Sequence, residues 1–281
     1  MRSGLRQLLA GHSPLLGLFV NYPSPALVEL AGHIGYDWVF IDAEHGPLDL
    51  ETVEHMVRAA ETAGVVPIVR LPQPDPSLVH RYLDTGAMGI LVPHLSSVEV
   101  ANEMVDAAKF PPRGHRGAGS RTRAAGFGFR MTAADYADWS NSETVVFGIL
   151  EDRSGYEQLS DILTVDGLDG LVVGPSDLSQ SLGVPGQTSH PKVVELVDAI
   201  TKQVLASSKV LCRVMTNAST AVSDLRRFQV MGVPMVAEPF TGLFARGARE
   251  ILELRGPRGR ENAVWRDASV SRVTEPRGTT A

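Results

Sequence analysis

Short, nearly continuous apolar runs alternate along this chain with longer segments in which apolar residues recur every three or four positions. The runs fall at 15–20, 38–42, 65–70, 89–92, 145–150, 170–173, 210–214 and 234–238. Each is rich in Val, Ile, Leu or Phe with little polar alternation, the pattern of a parallel strand buried on both faces. Between them, 25–35 sets Leu27, Leu30 and Ile34 on one stripe, and 49–63 does the same with Val53, Met56, Val57 and Ala60. Segment 193–206 carries Val194, Val197, Ile200, Val204 and Leu205, and 220–231 and 243–254 read the same way. That spacing predicts amphipathic helices. Gly35, Gly64, Gly86 and Gly232 stand where helices of this kind commonly stop. Eight strands alternating with helices predict an α/β fold, with a (β/α)8 TIM barrel first and a doubly wound open sheet second. No glycine-rich nucleotide fingerprint follows the first strand, which weighs against the open sheet. No internal repeat of solenoid period is present.

Two stretches depart from the alternation. Segment 110–141 is long and rich in Gly and Arg, and a loop of that length inside a compact domain is usually functional. Segment 255–281 is basic, rich in Gly and Pro, and aperiodic, so the expectation is one barrel domain over 1–254 followed by a flexible C-terminal tail. Composition narrows the class. With 43% hydrophobic and 21% charged residues among 281, the chain has ample core material and is not a disordered protein. A net charge of −6, from 26 basic and 32 acidic residues, is not the footprint of a nucleic-acid binder. The single cysteine, Cys212, excludes a disulfide framework and fits a reducing compartment. The leucine-rich start is interrupted by Gly11, His12 and Pro14, and no apolar run has the length of a membrane span; the expectation is a cytoplasmic protein without membrane contact.

In a barrel, chemistry sits at the C-terminal ends of the strands, and this chain places useful side chains there. The second strand runs into Asp42-Ala43-Glu44-His45-Gly46-Pro47, the third ends at Arg70, the fifth at Glu151-Asp152, the sixth at Gly174-Pro175-Ser176-Asp177, and the eighth reaches Glu238. Glu151 and Asp177, on neighbouring strands, are candidate ligands for a hard divalent ion such as Mg²⁺ or Mn²⁺. On sequence position alone the alternative stands too, that they are acidic loop residues, with Asp177 capping a helix from Leu178. His45 suits a general acid or base, or a polar loop contact. Asp42 and Glu44 could orient it or bridge subunits. Arg70, at the end of a buried strand, needs an anionic partner, either a protein carboxylate or a substrate carboxylate. The Gly174-Pro175-Ser176-Asp177 turn offers backbone N–H groups to an anion. Together these residues suit chemistry through an enolate, whose developing negative oxygen a metal and an arginine would stabilise.

The stretches GLFVNYPSPALVELAGHIGYDWVFIDAEHGP, PIVRLP, LDTGAMGILVPHLSS, FPPRGHRG and DGLVVGPSDLSQSLG, with HPKV after them, resemble the HpcH/HpaI aldolase family of metal-dependent class II pyruvate aldolases. The resemblance runs from about Gly17 to about Leu254. It implies a modified (β/α)8 barrel of the phosphoenolpyruvate/pyruvate-binding type, with its last helix swapped between subunits of a hexamer built from dimers or trimers. It implies an aldehyde-lyase acting on 4-hydroxy-2-oxo acids, with pyruvate and an aldehyde as partners and Mg²⁺, Mn²⁺ or Co²⁺ as cofactor. By resemblance, Glu151 and Asp177 hold the metal, Arg70 binds the pyruvyl oxygen, and the amides of Ser176 and Asp177, in the turn that Gly174 and Pro175 begin, receive the carboxylate. His45 is the acid/base group with Asp84 as its aspartate partner, and Asp42 contributes to the adjoining subunit's site. No lysine Schiff base is implied, and Lys109, Lys192, Lys202 and Lys209 all lie away from predicted strand ends. Two positions depart from the family pattern. Ile149 stands where a glutamine is usual, and Val236-Ala237-Glu238-Pro239-Phe240 alters the segment expected at the substrate-side wall of the pocket. The alternative activity is that of an oxaloacetate decarboxylase or macrophomate-synthase-like enzyme, which would use the same enolate on another electrophile. A citrate-lyase-like enzyme acting on acyl-CoA is disfavoured by the lack of a basic cluster for a nucleotide tail. A non-catalytic barrel is disfavoured because Glu151, Asp177 and Arg70 are all present.

Overall fold

The computed structural model describes residues 4–11, 14–215 and 219–255. Its strands are β1 (Leu15–Val20), β2 (Trp38–Asp42), β3 (Val66–Arg70), β4 (Gly89–Val92), β5 (Val145–Leu150), β6 (Gly170–Val173), β7 (Val210–Val214) and β8 (Met235–Pro239). All pair in parallel, in sequence order, and β8 closes back onto β1, so the sheet is a barrel and not an open one. The principal outer helices are α2 (Pro25–Ile34), α3 (Leu50–Ala63), α4 (Pro76–Asp84), α5 (Val98–Ala108), α10 (Pro191–Leu205), α11 (Ala221–Val230) and α12 (Phe240–Leu254). Shorter helices α7 (Arg153–Glu157), α8 (Leu159–Ile162) and α9 (Pro175–Ser181) follow β5 and β6. The ends obey local rules. Ser24 and Asp49 accept the Leu27 and Thr52 amides at the starts of α2 and α3, and Gly35 and Gly64 take the left-handed conformation that ends them.

Strand side chains sort into two apolar layers. Leu15, Trp38, Phe40, Val66, Ile68, Leu91, Phe147, Ile149, Val172, Cys212, Met235 and Ala237 pack inside the barrel. Alternate residues such as Leu18, Val39, Ile41, Val69, Ile90, Val146, Val173 and Val236 pack outward against the helices. Because side chains alternate along a strand, the interior row of β2 ends on Asp42, that of β3 on Arg70, and that of β5 continues to Glu151. Gly17 makes room for the Trp38 ring, since any side chain there would overlap it. Each fully buried interior residue of the size of Ile68 or Phe147 is worth roughly 1.5–3 kcal/mol in water removed from apolar surface.

The same alternation corrects one expectation. Ala237 belongs to the interior layer, so Glu238 points out into the helix layer, where Arg246 of α12 binds its Oε1 at 2.6 Å. Glu238 is therefore not part of the substrate-side wall. The N-terminal leucines also have a definite place. Residues Leu5–Gly11 form α1, whose Leu5 is fully buried with Leu8 and Leu9 against the interior layer, so the helix plugs the bottom of the barrel. Segment 110–141 is ordered both by its own contacts and by Arg116 and Arg123 reaching Asp84 and the Thr85 carbonyl. It builds a small cluster of Phe110, Ala125 and Tyr136 and then enters α6 (Ala133–Glu143). Helix α12 begins at Phe240, buries none of its residues, and leaves Phe244, Ile251, Leu252 and Leu254 exposed. Among the described residues no helix is long and apolar enough to cross a membrane. The basic tail beyond Arg255 lies outside the described residues.

Candidate active site

Four carboxylates and one guanidinium meet at the C-terminal rim. Arg70 is 7% exposed and Asp42 1%. The two form a bidentate pair, Nε to Oδ1 at 2.8 Å and Nη2 to Oδ2 at 2.6 Å. β2 and β3 pair with Asp42 directly opposite Arg70, so the sheet register itself sets this contact. Asp42 Oδ1 also accepts the backbone N–H groups of Glu44 and His45, each at 3.1 Å, which folds the loop after β2 back over the rim. The guanidinium lies 4.9 Å from the centroid of Phe19. Its third nitrogen, Nη1, stands 3.0 Å from Glu44 Oε2, yet that buried oxygen accepts no aligned hydrogen bond. Charge attraction holds Glu44, while the Nη1 donors remain available.

Glu151 is 3% exposed. The His94 backbone N–H donates to its Oε1 at 2.7 Å. Burial pushes its carboxyl up from 4.5 to about 7, opposed by His94 and reinforced by the negative charges of Asp177 and Glu44. A carboxylate buried this way and beside two others lacks a countercharge of its own. Gly174 permits the arrangement, because a Cβ there would lie 2.8 Å from Glu151 Cβ and 3.0 Å from its Oε2. Asp177 sits in the first turn of α9, where Gly174 is the N-cap, so it does not cap a helix from Leu178. Its Oδ1 takes the Gln180 amide at 3.0 Å. Pro175, Ser176 and Asp177 form that first turn, whose early N–H groups have no partner within the helix. Ile149, one interior step below Glu151, gives the site an apolar floor.

The structure thus brings together Asp42, Glu44, Arg70, Glu151 and Asp177, with Gly174, Pro175 and Ser176 alongside. His45 lies on the same rim, with its side chain 63% exposed and Nε2 4.0 Å from Glu44. Asp84 stands apart. Its Oδ1 binds Nη2 of the buried Arg116 at 2.7 Å, and no hydrogen bond or ion pair joins it to His45. Lys109 and Lys209 are held at the other end of the barrel by carbonyls of Asn141 and Thr144, and of Val165 and Leu168.

One residue was missed from the sequence. His94, two residues after β4, lies with Nδ1 3.3 Å from Glu151 Oε1 and Nε2 3.3 Å from Glu44 Oε1. Its signal was its place just past a strand end, the same rule that found Arg70 and Glu151.

Among the described residues no group of three or more His, Cys, Asp or Glu side chains is gathered as a metal site. The donor set is instead a carboxylate pair, Glu151 and Asp177, inside an environment with three more acidic charges than guanidinium charges could balance. A divalent cation fits that set. Two carboxylates with open positions suit a hard ion, and the cation would supply the countercharge that Glu151 lacks.

Residues 15–247 match the HpcH/HpaI aldolase/citrate lyase family. The chain is 35% identical over 249 residues to a pyruvate aldolase of Rhizobium etli, covering 88% of this chain and 94% of that protein. It is 32% identical over 252 residues to a 4-hydroxy-2-oxo-heptane-1,7-dioate aldolase of Salmonella dublin, covering 89% and 94%. Among solved structures, an HpcH/HpaI aldolase/citrate lyase family protein of Burkholderia cenocepacia superposes with a TM-score of 0.82 at 31% identity, covering 89% of this chain and 98% of that one.

Proposed function

The chain belongs to the HpcH/HpaI aldolase/citrate lyase family, and from that premise we propose that its barrel rim catalyses reversible aldol cleavage of 4-hydroxy-2-oxo acids into pyruvate and an aldehyde. The enzyme is an aldolase, a carbon–carbon lyase. The observation that carries the site assignment is that Arg70, fixed by Asp42, shares the rim with the buried Glu151 carboxylate and its partly buried neighbour Asp177.

Glu151 and Asp177 would hold a divalent ion, Mg²⁺, Mn²⁺ or Co²⁺, which supplies Lewis-acid stabilisation of a 2-oxo acid's enolate oxygen. Arg70 binds the 2-oxo oxygen through Nη1, the guanidinium nitrogen not already paired with Asp42. Because Asp42 holds the guanidinium flat and buried, the donor is in position before charge develops, which is where such groups are worth most. The Ser176 and Asp177 amides, reached past Gly174 and Pro175, receive the substrate carboxylate. His45 exchanges the proton of the 4-hydroxyl group: in cleavage the hydroxyl loses its proton, the bond between the third and fourth carbons breaks, and the pyruvate enolate gains a proton at its methylene carbon. Glu44 holds Arg70 and the loop bearing His45. Asp84 neutralises Arg116 and receives no catalytic role within the protomer. Helix α12, with no buried residue and four large apolar side chains exposed, suits packing on a second copy in a trimer or hexamer.

Pyruvate methyl-proton exchange in D₂O tests the reading, followed by NMR with and without Mg²⁺ or Mn²⁺. Exchange that requires the ion and is lost in Arg70→Ala is expected. An absence of exchange with every ion would refute pyruvate as the enolate donor.

A further inference from the structure

The residue that the proposed chemistry does not use is His94. It takes a left-handed backbone conformation, φ 48°, that costs a non-glycine residue free energy. The surroundings enforce it. The next residue, Leu95, donates its N–H to the Ile149 carbonyl at 3.0 Å. The Leu95 side chain lies against Gly148, where any Cβ would overlap it. The loop after β4 is thereby pressed onto β5, which carries Glu151 on its next interior step.

Two contacts with Glu151 follow from that placement. The His94 main-chain N–H lies 2.7 Å from Oε1, and the ring Nδ1 lies 3.3 Å from the same oxygen. The far ring nitrogen, Nε2, lies 3.3 Å from Glu44 Oε1, and Glu44 in turn stands beside Arg70 Nη1. The two ring nitrogens therefore each face a carboxylate, Glu151 on one side and Glu44 on the other. The imidazole links the arginine half of the site to the carboxylate-pair half. Groups that hold a metal ligand's orientation typically affect metal affinity tenfold to a hundredfold.

We infer that His94 is a positioning residue: its strained main chain and its imidazole fix the Glu151 carboxylate, and couple it to Glu44 and Arg70, in the orientation that receives the divalent ion. The inference rests on the proposed ion site. It concerns the free protein's organisation and needs no contact between His94 and substrate.

The test is Mn²⁺ binding to the full chain at pH 8, by calorimetric titration and by the electron paramagnetic resonance spectrum of the bound ion. His94→Gly keeps the N–H and the positive φ but removes the ring. His94→Asn keeps a polar side chain that tolerates positive φ and reaches one carboxylate. The expected result is a Kd for Mn²⁺ about tenfold or more weaker in His94→Gly, with an altered spectrum, and an intermediate Kd in His94→Asn. Thermal melting without the ion reports whether each variant is folded. Wild-type affinity in His94→Gly would overturn the inference while leaving the ion site standing. Tighter binding would overturn it too, because the ring would then only compete with the cation. Failure of the wild-type protein to bind Mn²⁺ would instead overturn the ion site, and the inference with it.

Discussion

Replacing Glu151 by Gln should stabilise the ion-free protein, and the size of the effect should depend on pH. Burial pushes the Glu151 carboxyl from 4.5 up to about 7. Between those values the native state holds a proton that the unfolded chain has released. Stability therefore falls as pH rises through that window, the reverse of a salt-bridged carboxylate. At pH 8 the full penalty applies, about 2.5 units at 1.36 kcal/mol each, or about 3 kcal/mol. At pH 5 it shrinks to roughly 0.8 kcal/mol. Glutamine is nearly isosteric and can still accept the His94 N–H, so Glu151→Gln removes the charge with little change in packing. For a chain of this size, about 3 kcal/mol corresponds to a rise of about 5 °C in Tm. Calorimetric melts of both proteins in a chelator, at pH 8 and pH 5, should show that rise at pH 8 and much less at pH 5. Adding Mg²⁺ should raise the wild-type Tm and leave the variant unmoved. A variant less stable at pH 8, or an equal shift at both pH values, would refute the reasoning that Glu151 is a buried charge waiting for a cation.

Two further substitutions test the rest of the rim. Arg70→Lys cannot form the bidentate pair with Asp42 while also facing a substrate oxygen, so kcat/KM for aldol cleavage should fall by about 100-fold with the fold intact by circular dichroism. Gly174→Ala puts a methyl group 2.8 Å from Glu151 Cβ and 3.2 Å from Ile149 Cγ2. It should cost about 1–3 kcal/mol of stability by urea unfolding and weaken Mn²⁺ binding in calorimetry. An unchanged Mn²⁺ affinity would mean that Glu151 is not held where the ion binds.

Segment 110–141 shows where local reading of the sequence stops. Its length and glycine content mark it as exceptional. Its folding, however, depends on Arg116 crossing to Asp84 and stacking 4.7 Å over Phe110, and on Arg123 bonding to the Thr85 carbonyl at 2.6 Å. The bonds to Asp84 and Thr85 join residues 32 and 38 positions apart, which no local spacing reports. Glu238 teaches the same lesson. A glutamate at a strand end looks like a rim residue, but the side-chain alternation of β8 turns it outward to Arg246. Ile149 is the opposite case, since the same alternation on β5 points it inward beneath Glu151.

The sequence by itself determined the strand–helix alternation, and with it which residues stand at strand ends. A buried parallel strand must be apolar throughout, so its first polar residue marks the rim. That rule found Asp42, Arg70, Glu151 and the turn at Gly174. Only the closed barrel decided what those residues do to one another. Register set Asp42 opposite Arg70, closure put the β3 and β5 rows around one mouth, and the loop after β4 drew His94 onto Glu151. The reason is physical: hydrophobic periodicity is fixed by neighbours a few residues away, whereas charge pairing, desolvation and strain depend on distances in space between residues far apart in the chain.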